Sequence, residues 1–332
     1  MKFTILGAGT WGTAVAQVLC DNKNDVMLYH FDQNIVNDIN KNHKNSFYFN
    51  DLILNENLQA TSSLEEAIKF GNNIIFAVPS QNIEELLGNS LQYMEGKYNF
   101  INLIKGFVGE NNELMISYLR RIIPSEYVNT ISSLIGPSHA EEVIFRKVTA
   151  LCFVNKDIKV AEKMQKAFSN EYFRVYAVED EVGSEFAASY KNAIAIGSGI
   201  LEGLGFGDNA KAAFITRGLA EMMMAGKAFG GRTKTFLGLT GVGDLLVTCN
   251  SRHSRNFMFG YQIGQIKNVD QVIKNYNKTV EGYKTVKSLY EISKRENLST
   301  PIIDALYNVL YKGSSIEYEA SFLMNRPLKK EF

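Results

Sequence analysis

The run Ile5-Leu6-Gly7-Ala8-Gly9-Thr10-Trp11-Gly12 constrains this chain more than any other. It places a G-x-G-x-x-G loop directly after a short apolar strand, Phe3 to Leu6, and directly before the breaker-free apolar stretch Ala14 to Leu19. Strand, glycine turn and helix in that order mark the start of a dinucleotide-binding α/β fold. Each glycine answers a separate steric need. Gly7 permits the tight turn, Gly9 keeps a Cβ out of the path of a pyrophosphate, and Gly12 lets the helix lie close to the strand. The N–H groups at the helix start, at its positive dipole end, are suited to phosphate. Glycine triplets also occur in ordinary turns, so the order of the elements carries the reading rather than the triplet itself.

The rest of the first half keeps an alternating rhythm of short β-branched or aromatic runs and helical stretches, which predicts a parallel sheet with helices on its faces. Strands are predicted at Asp25 to Tyr29, Asn73 to Val78, Asn99 to Ile104, Asn129 to Ile135, Thr149 to Val154 and Phe173 to Val178. Ser62-Ser63-Leu64-Glu65 reads as a capping box opening a helix over Leu64 to Phe70. The Asn- and Lys-rich segment Lys41 to Asn57 reads as a loop or short-helix excursion. After Glu179 the rhythm changes. Helices are predicted over Gly183 to Leu201, Asn209 to Phe229, Asn256 to Gln265, Tyr283 to Glu296 and Ile302 to Leu310, with no clear strand among them. The expected architecture is therefore an N-terminal Rossmann-type doubly wound sheet, residues 1–179, followed by an all-helical C-terminal domain, residues 180–332.

A chain of 332 residues has room for two domains. Lys plus Arg and Asp plus Glu both number 35, so no net positive charge argues for nucleic acid or an anionic membrane surface. Cys20, Cys152 and Cys249 are odd in number and lack C-x-x-C spacing. They fit buried small hydrophobes in a reducing cytosol better than a disulfide framework or a zinc site. The opening apolar run is expected to be a strand and not a secretory signal, no membrane span is expected, and the expected location is cytoplasmic.

In an open parallel sheet the ligand lies beyond the carboxyl ends of the strands, so the residues just after each strand carry most of the functional weight. Val78-Pro79-Ser80 turns sharply there. Ile104-Lys105-Gly106 sets one lysine beside a glycine, and Ile135-Gly136-Pro137-Ser138-His139-Ala140 offers a flexible turn and a hydroxyl before another helix. Lys105 reads equally as a solvated loop lysine or as a site cation. The second strand ends in Tyr29-His30-Phe31-Asp32, and Asp32 follows the last glycine of the loop by about 20 residues, the spacing of an acid that binds the adenosine ribose of NAD. No arginine stands near to grip the 2′-phosphate of NADP, and Phe31 is placed to stack on adenine. NAD is favoured over NADP on this ground.

The helical half opens with Ser189-Tyr190-Lys191-Asn192-Ala193-Ile194-Ala195-Ile196-Gly197, a lysine set among small and apolar residues. Desolvation disfavours a charged amine, which suits Lys191 to exchange protons near neutral pH; the competing role is a lysine snorkelling at a helix edge. Asn192 is placed to orient whatever Lys191 touches. Gly241-Val242-Gly243-Asp244-Leu245-Leu246 sets a carboxylate between a glycine turn and an apolar run, as a ligand for a neutral hydroxyl or as a helix cap. Ser254-Arg255-Asn256, just before a predicted helix, suits an anion, with Arg255 supplying a planar fork for phosphate oxygens. His253 beside them reads as an exposed polar residue.

These blocks bring a family with them. The chain resembles the bacterial NAD(P)-dependent glycerol-3-phosphate dehydrogenases nearly end to end, through Gly7 to Gly12, Lys105-Gly106, Gly136-Pro137-Ser138, Tyr190-Lys191-Asn192, Gly203-Leu204-Gly205 with Gly207-Asp208-Asn209, Thr216-Arg217-Gly218, Gly241 to Leu245, Thr248-Cys249, Ser254-Arg255-Asn256 and Glu281-Gly282. The resemblance implies an oxidoreductase that moves hydride between NAD or NADP and C2 of a small phosphorylated three-carbon substrate, interconverting dihydroxyacetone phosphate and sn-glycerol 3-phosphate, the glycerophospholipid precursor. It implies that Lys191 is the catalytic acid/base and that Lys105 touches substrate and cofactor together. Asp244 would bind a substrate hydroxyl, Ser254, Arg255 and Asn256 the phosphate end, and Gly136 and Ser138 would line the substrate. Gly7, Gly9, Thr10, Trp11, Gly12, His30, Phe31, Lys105, Ala140, Arg255, Thr279 and Glu281 would line the cofactor, with no metal. Many family members carry one or two arginines where this chain has Phe31 and Asp32, and an aromatic or small residue and a lysine where it has His139 and Glu141. A symmetric homodimer is the expected oligomer. Two other readings compete: a 3-hydroxyacid or phosphogluconate-type dehydrogenase, which needs a carboxylate site where Ser-Arg-Asn favours phosphate, and a nucleotide-sensing binding protein, which has no need of a desolvated base.

Overall fold

Every strand predicted from the sequence forms, within two residues of its expected bounds. In the computed structural model, which describes residues 1–50, 52–276, 279–328 and 330–331, the strands are β1 (Lys2–Leu6), β2 (Asp25–Tyr29), β3 (Gln59–Thr61), β4 (Asn73–Phe76), β5 (Tyr98–Asn102), β6 (Phe107–Val108), β7 (Glu113–Leu114), β8 (Val128–Ile135), β9 (Thr149–Val154) and β10 (Phe173–Val178). Eight of them make one sheet in the order β10-β9-β8-β5-β4-β1-β2-β3, and β6 and β7 pair separately as a small hairpin. The order turns back on itself between β1 and β4, the switch point at which a doubly wound sheet opens a crevice for a ligand.

The sheet departs from the expected all-parallel form at one pair. β8 and β9 run antiparallel, while β10 is parallel to β9. A parallel return needs a crossover that spans the sheet face, usually a full helix. The link from Gly136 to Val148 holds only the single turn Ala140–Val143, so the chain re-enters beside β8 from the same end. β3 and the hairpin escaped prediction because each is too short to show a period-2 pattern.

Successive strand residues bury on opposite faces and so build two cores. Phe3, Ile5, Val26, Leu28, Ile75 and Ile101 pack with Ala14, Val15, Val18 and Leu19 of the helix Thr10–Asp21 on one face. Leu6, Ile74, Phe76, Phe100 and Ile131 pack with Ile68, Leu87, Ile116 and Leu119 on the other. The predicted helix Leu64–Phe70 forms, with Ser63 as its cap: the Ser63 hydroxyl accepts from Glu66 N at 3.2 Å, one residue later than the expected box.

The chain divides into two compact units, Met1–Glu185 and Phe186–Phe332. The division falls inside one continuous helix, Glu181–Gly203. Among the described residues the second unit contains no strand. Its helices among the described residues are those predicted, with Thr233–Phe236, the π-helical turn Leu239–Gly243, Asp244–Asn250, Val269–Asn275 and Ile316–Met324 in addition. Ser184 to Ile200 are buried without interruption, so the first helix of this unit is a core helix. Glycine makes that possible. A Cβ at Gly199 would lie 2.0 Å from Phe257 O, and one at Gly260 2.0 Å from Ile196 O, so this helix and Arg255–Ile266 touch backbone to backbone.

Candidate functional site

The glycine loop has the geometry its sequence demands. Gly7 sits at φ +122°, and a Cβ there would lie 2.5 Å from Ala77 O, because the turn after β1 abuts the turn after β4. A Cβ at Gly12 would lie 1.9 Å from Gly7 O. At Gly9 nothing lies within 4 Å of the Cβ position. Two of the glycines are therefore required by the protein itself, whereas Gly9 faces open space. Gly9 is also the N-cap of Thr10–Asp21, with no side-chain cap and no acidic residue in the first turn, so the helix start keeps its donors and its positive end for another group. Trp11 Nε1 and Asn45 Oδ1 are buried without partners near this loop, although Asn45 Nδ2 donates to Ala8 O at 3.0 Å and to Thr13 Oγ1 at 2.9 Å. The open approach at Gly9, the N–H groups of the helix start and the Trp11 indole N–H fit a dinucleotide pyrophosphate.

At the end of β2, His30 and Phe31 stack with ring centroids 4.5 Å apart, and Phe31 is 80% exposed. Burial pulls the His30 imidazole below its ordinary pKa, against an opposing pull from Asp32. His30 Nδ1 accepts from Asp32 N at 3.1 Å. The Asp32 carboxylate caps the helix Gln33–Asn42, accepting from Asn34 N at 2.8 Å through Oδ1. A neutral imidazole and a carboxylate make this a poor seat for a 2′-phosphate.

The strand-end residues of β5 and β8 come together. Lys105 Nζ donates to Gly136 O at 3.1 Å, and Ser138 Oγ donates to the same carbonyl at 3.1 Å. Gly136 stands at φ +148°, a backbone conformation that favours glycine, and a Cβ there would lie 3.1 Å from Leu151 Cα. Ala140 is buried in the adjacent core.

In the second unit Lys191 is buried at 5% exposure. Its Nζ donates to Asp244 Oδ1 at 2.7 Å and to Thr248 Oγ1 at 2.7 Å, and Thr248 Oγ1 donates to Asp244 O at 2.6 Å. The lysine therefore does not snorkel. Its amine is thus held between a carboxylate and a hydroxyl oxygen in a dry place. Asp244 begins the helix Asp244–Asn250 without capping it, since Gly243 is the N-cap. Thr248 was missed as a site residue because that helix is short and uncapped; once it is drawn, the i, i+4 spacing puts both side chains on one face.

Ser254, Arg255 and Asn256 separate in role. Ser254 is buried and caps Arg255–Ile266, accepting from Phe257 N at 3.2 Å. Asn256 Nδ2 donates to Asn192 Oδ1 at 3.0 Å and its Oδ1 accepts from Gly282 N at 2.9 Å, tying the lysine helix to the start of Glu281–Arg295. Only Arg255 of the three is exposed. Thr279 is exposed and Glu281 half-buried. Beside Lys191, Tyr190 OH donates to Glu221 Oε1 at 2.8 Å, and Glu221 also accepts from Ile302 N and Ile303 N. Burial pushes the Glu221 carboxyl up to about 7.

Two sequence models of one family cover the chain: the NAD-dependent glycerol-3-phosphate dehydrogenase N-terminus matches residues 2–161 and the C-terminus residues 180–320. The chain belongs to the NAD-dependent glycerol-3-phosphate dehydrogenase family. Glycerol-3-phosphate dehydrogenase [NAD(P)+] of Staphylococcus carnosus is 41% identical over 330 residues, 99% of each chain. The enzyme of that name from Ligilactobacillus salivarius is also 41% identical, over 99% of this chain and 98% of its own. The crystal structure of glycerol-3-phosphate dehydrogenase from Coxiella burnetii matches with a TM-score of 0.89 at 28% identity, over 98% of this chain and 99% of that one. The dehydrogenase fold, a Rossmann-type sheet followed by a helical region, is thus common to this chain and its relatives. No helix among the described residues is long and apolar enough to cross a membrane. The three cysteines are buried and free, and burial pushes each thiol up to about 12.

Proposed function

We propose that this chain is an NAD(P)-dependent glycerol-3-phosphate dehydrogenase, interconverting dihydroxyacetone phosphate and sn-glycerol 3-phosphate as the precursor of glycerophospholipids. The observation that carries the reading is Lys191, a buried amine held by Asp244 and Thr248 in a chain 41% identical to enzymes of that name. Residues 1–179 bind the dinucleotide and 180–332 carry the catalytic base. When bound, the nicotinamide supplies or accepts hydride at its C4. Lys191 Nζ gives a proton to the ketone oxygen in reduction and takes it from the C2 hydroxyl in oxidation, and Asp244 holds the amine and binds a substrate hydroxyl. Lys105 places its charge where alkoxide develops. Gly136 and Ser138 line the substrate, and Arg255, with Ser254 and Asn256, holds the phosphate.

Gly7, Gly9, Thr10, Trp11 and Gly12 hold the pyrophosphate side of the cofactor, His30 and Phe31 its adenosine, and Ala140, Thr279 and Glu281 further contacts. We assign NAD as the preferred cofactor on the neutral His30 and the Asp32 carboxylate, and expect a homodimer working in the cytoplasm. Following absorbance at 340 nm with dihydroxyacetone phosphate and NADH or NADPH in parallel tests both parts. Turnover with kcat/KM higher for NADH is expected. No turnover with either cofactor overturns the substrate, and a large NADPH preference overturns the cofactor assignment.

A further inference from the structure

Asn102 and Ser133 are cross-strand partners at the last paired position of β5 and β8. Just past them the chain enters the turns that carry Lys105 and Gly136. Asn102 grips its own turn at two backbone groups, accepting from Ile104 N at 2.8 Å and donating to Ile104 O at 3.1 Å. Both partners also converge on one carboxylate oxygen. Glu185 Oε1 accepts from Asn102 Nδ2 at 3.0 Å and from Ser133 Oγ at 2.6 Å, while Oε2 accepts from Ile116 N at 2.9 Å. Glu185 is 4% exposed.

We infer that Glu185 is a positioning residue, which clamps the ends of β5 and β8 together and so sets Lys105 against the Gly136 carbonyl. The inference rests on the role proposed for Lys105. Three neutral donors need an acceptor with two oxygens and no hydrogen of its own, which among side chains only a carboxylate supplies. An apolar side chain would fill the same core at lower desolvation cost, so a carboxylate here points to a demand for geometry. Lys105 needs such a clamp. Its turn contains Gly106 at φ +157°, and its side chain has four rotatable bonds. Burial raises the Glu185 carboxyl to about 6, with the nearby charge of Glu181 adding to the shift and the three hydrogen bonds opposing it, so at neutral pH it is largely ionised. Glu181 itself is paired with Arg120 at 2.7 Å.

The test is a double-mutant cycle on the full-length enzyme, with Glu185→Gln made alone and with Lys105→Ala, reading kcat, KM for dihydroxyacetone phosphate and NADH affinity. Glutamine keeps the shape but turns an N–H toward one of the donors. E185Q is expected to lower kcat/KM roughly 10- to 100-fold, and by less than about 3-fold when Lys105 is already alanine. The same loss in both backgrounds overturns the inference while leaving the proposed reaction intact. If K105A turns over like the wild type, the role of Lys105 fails, and the inference with it. Should E185Q not fold, Ser133→Ala removes one donor only and is read in the same cycle, with about a 3- to 10-fold loss expected.

Discussion

Lys191→Ala should cost stability as well as activity, because it removes one half of a buried ion pair. The pair is 2.7 Å apart with side chains 6% and 1% exposed. At an effective dielectric constant of about 20 its Coulomb attraction is on the order of 6 kcal/mol, most of it offset by the desolvation of both charges. Removing the lysine deletes this attraction and leaves the Asp244 carboxylate in a desolvated place without its ammonium. That arrangement costs about 3–5 kcal/mol, or roughly 6–20 °C in Tm for a unit of this size. Urea titration and thermal melting measure it, and NADH titration in the same samples separates folding from cofactor binding. K191A should melt far below the wild type, bind NADH normally once folded, and turn over orders of magnitude more slowly. The paired change Lys191→Met with Asp244→Asn removes both charges and should recover much of the stability but none of the turnover. A K191A melting point within a degree of wild type, or losses of Lys191→Met alone and Asp244→Asn alone that simply add in the double variant, would refute the argument that the two charges are coupled in a dry site.

The glycine loop offers a contrast between substitutions three residues apart. Gly12→Ala drives a Cβ to 1.9 Å from Gly7 O and should sharply reduce the yield of folded protein, whereas Gly9→Ala meets nothing and should melt normally while weakening NADH binding about 10-fold or more; quenching of Trp11, the single tryptophan, reads the binding, and a normal NADH affinity in G9A would remove the loop from the cofactor site. Glu221 gives a pH dependence with a definite sign. Its carboxyl is raised by burial from 4.5 to about 7, so its contribution to stability is fully present below about 4.5 and is lost as pH rises through about 7. Glu221→Gln should flatten the fall in stability between those values by about 3 kcal/mol, and parallel curves for variant and wild type in urea titrations across the window would contradict the assignment.

The first half of this protein is legible residue by residue because its information is local. Gly7 and Gly12 announce a turn and a close approach that the turn of Ala77 and the carbonyl of Gly7 then impose, and β2, β4 and β9 carry short apolar runs because both faces of the sheet are covered there. Legibility fails where structure depends on length or pairing. The antiparallel entry of β9 follows from a link too short to cross the sheet, and that Asp32 also caps a helix is not recorded in its spacing from the glycine loop. The site residues divide the same way. Lys105, Gly136 and Ser138 stand out as strand-end residues, and Ser138 reaches the Gly136 carbonyl within its own turn, yet that Lys105 donates to the same carbonyl is a matter of β5 lying beside β8.

By itself the sequence determined the order of elements, the glycine turn, the two-part organisation of strands then helices, and the oddity of a lysine among small apolar residues, since periodicity, propensity and steric exclusion act between neighbours in the chain. Tertiary structure alone decided which groups surround that lysine. The carboxylate of Asp244 and the hydroxyl of Thr248 reach Lys191 from a different helix. A buried charge is tolerated only where distant residues supply its partners, and no local pattern records which residues those are.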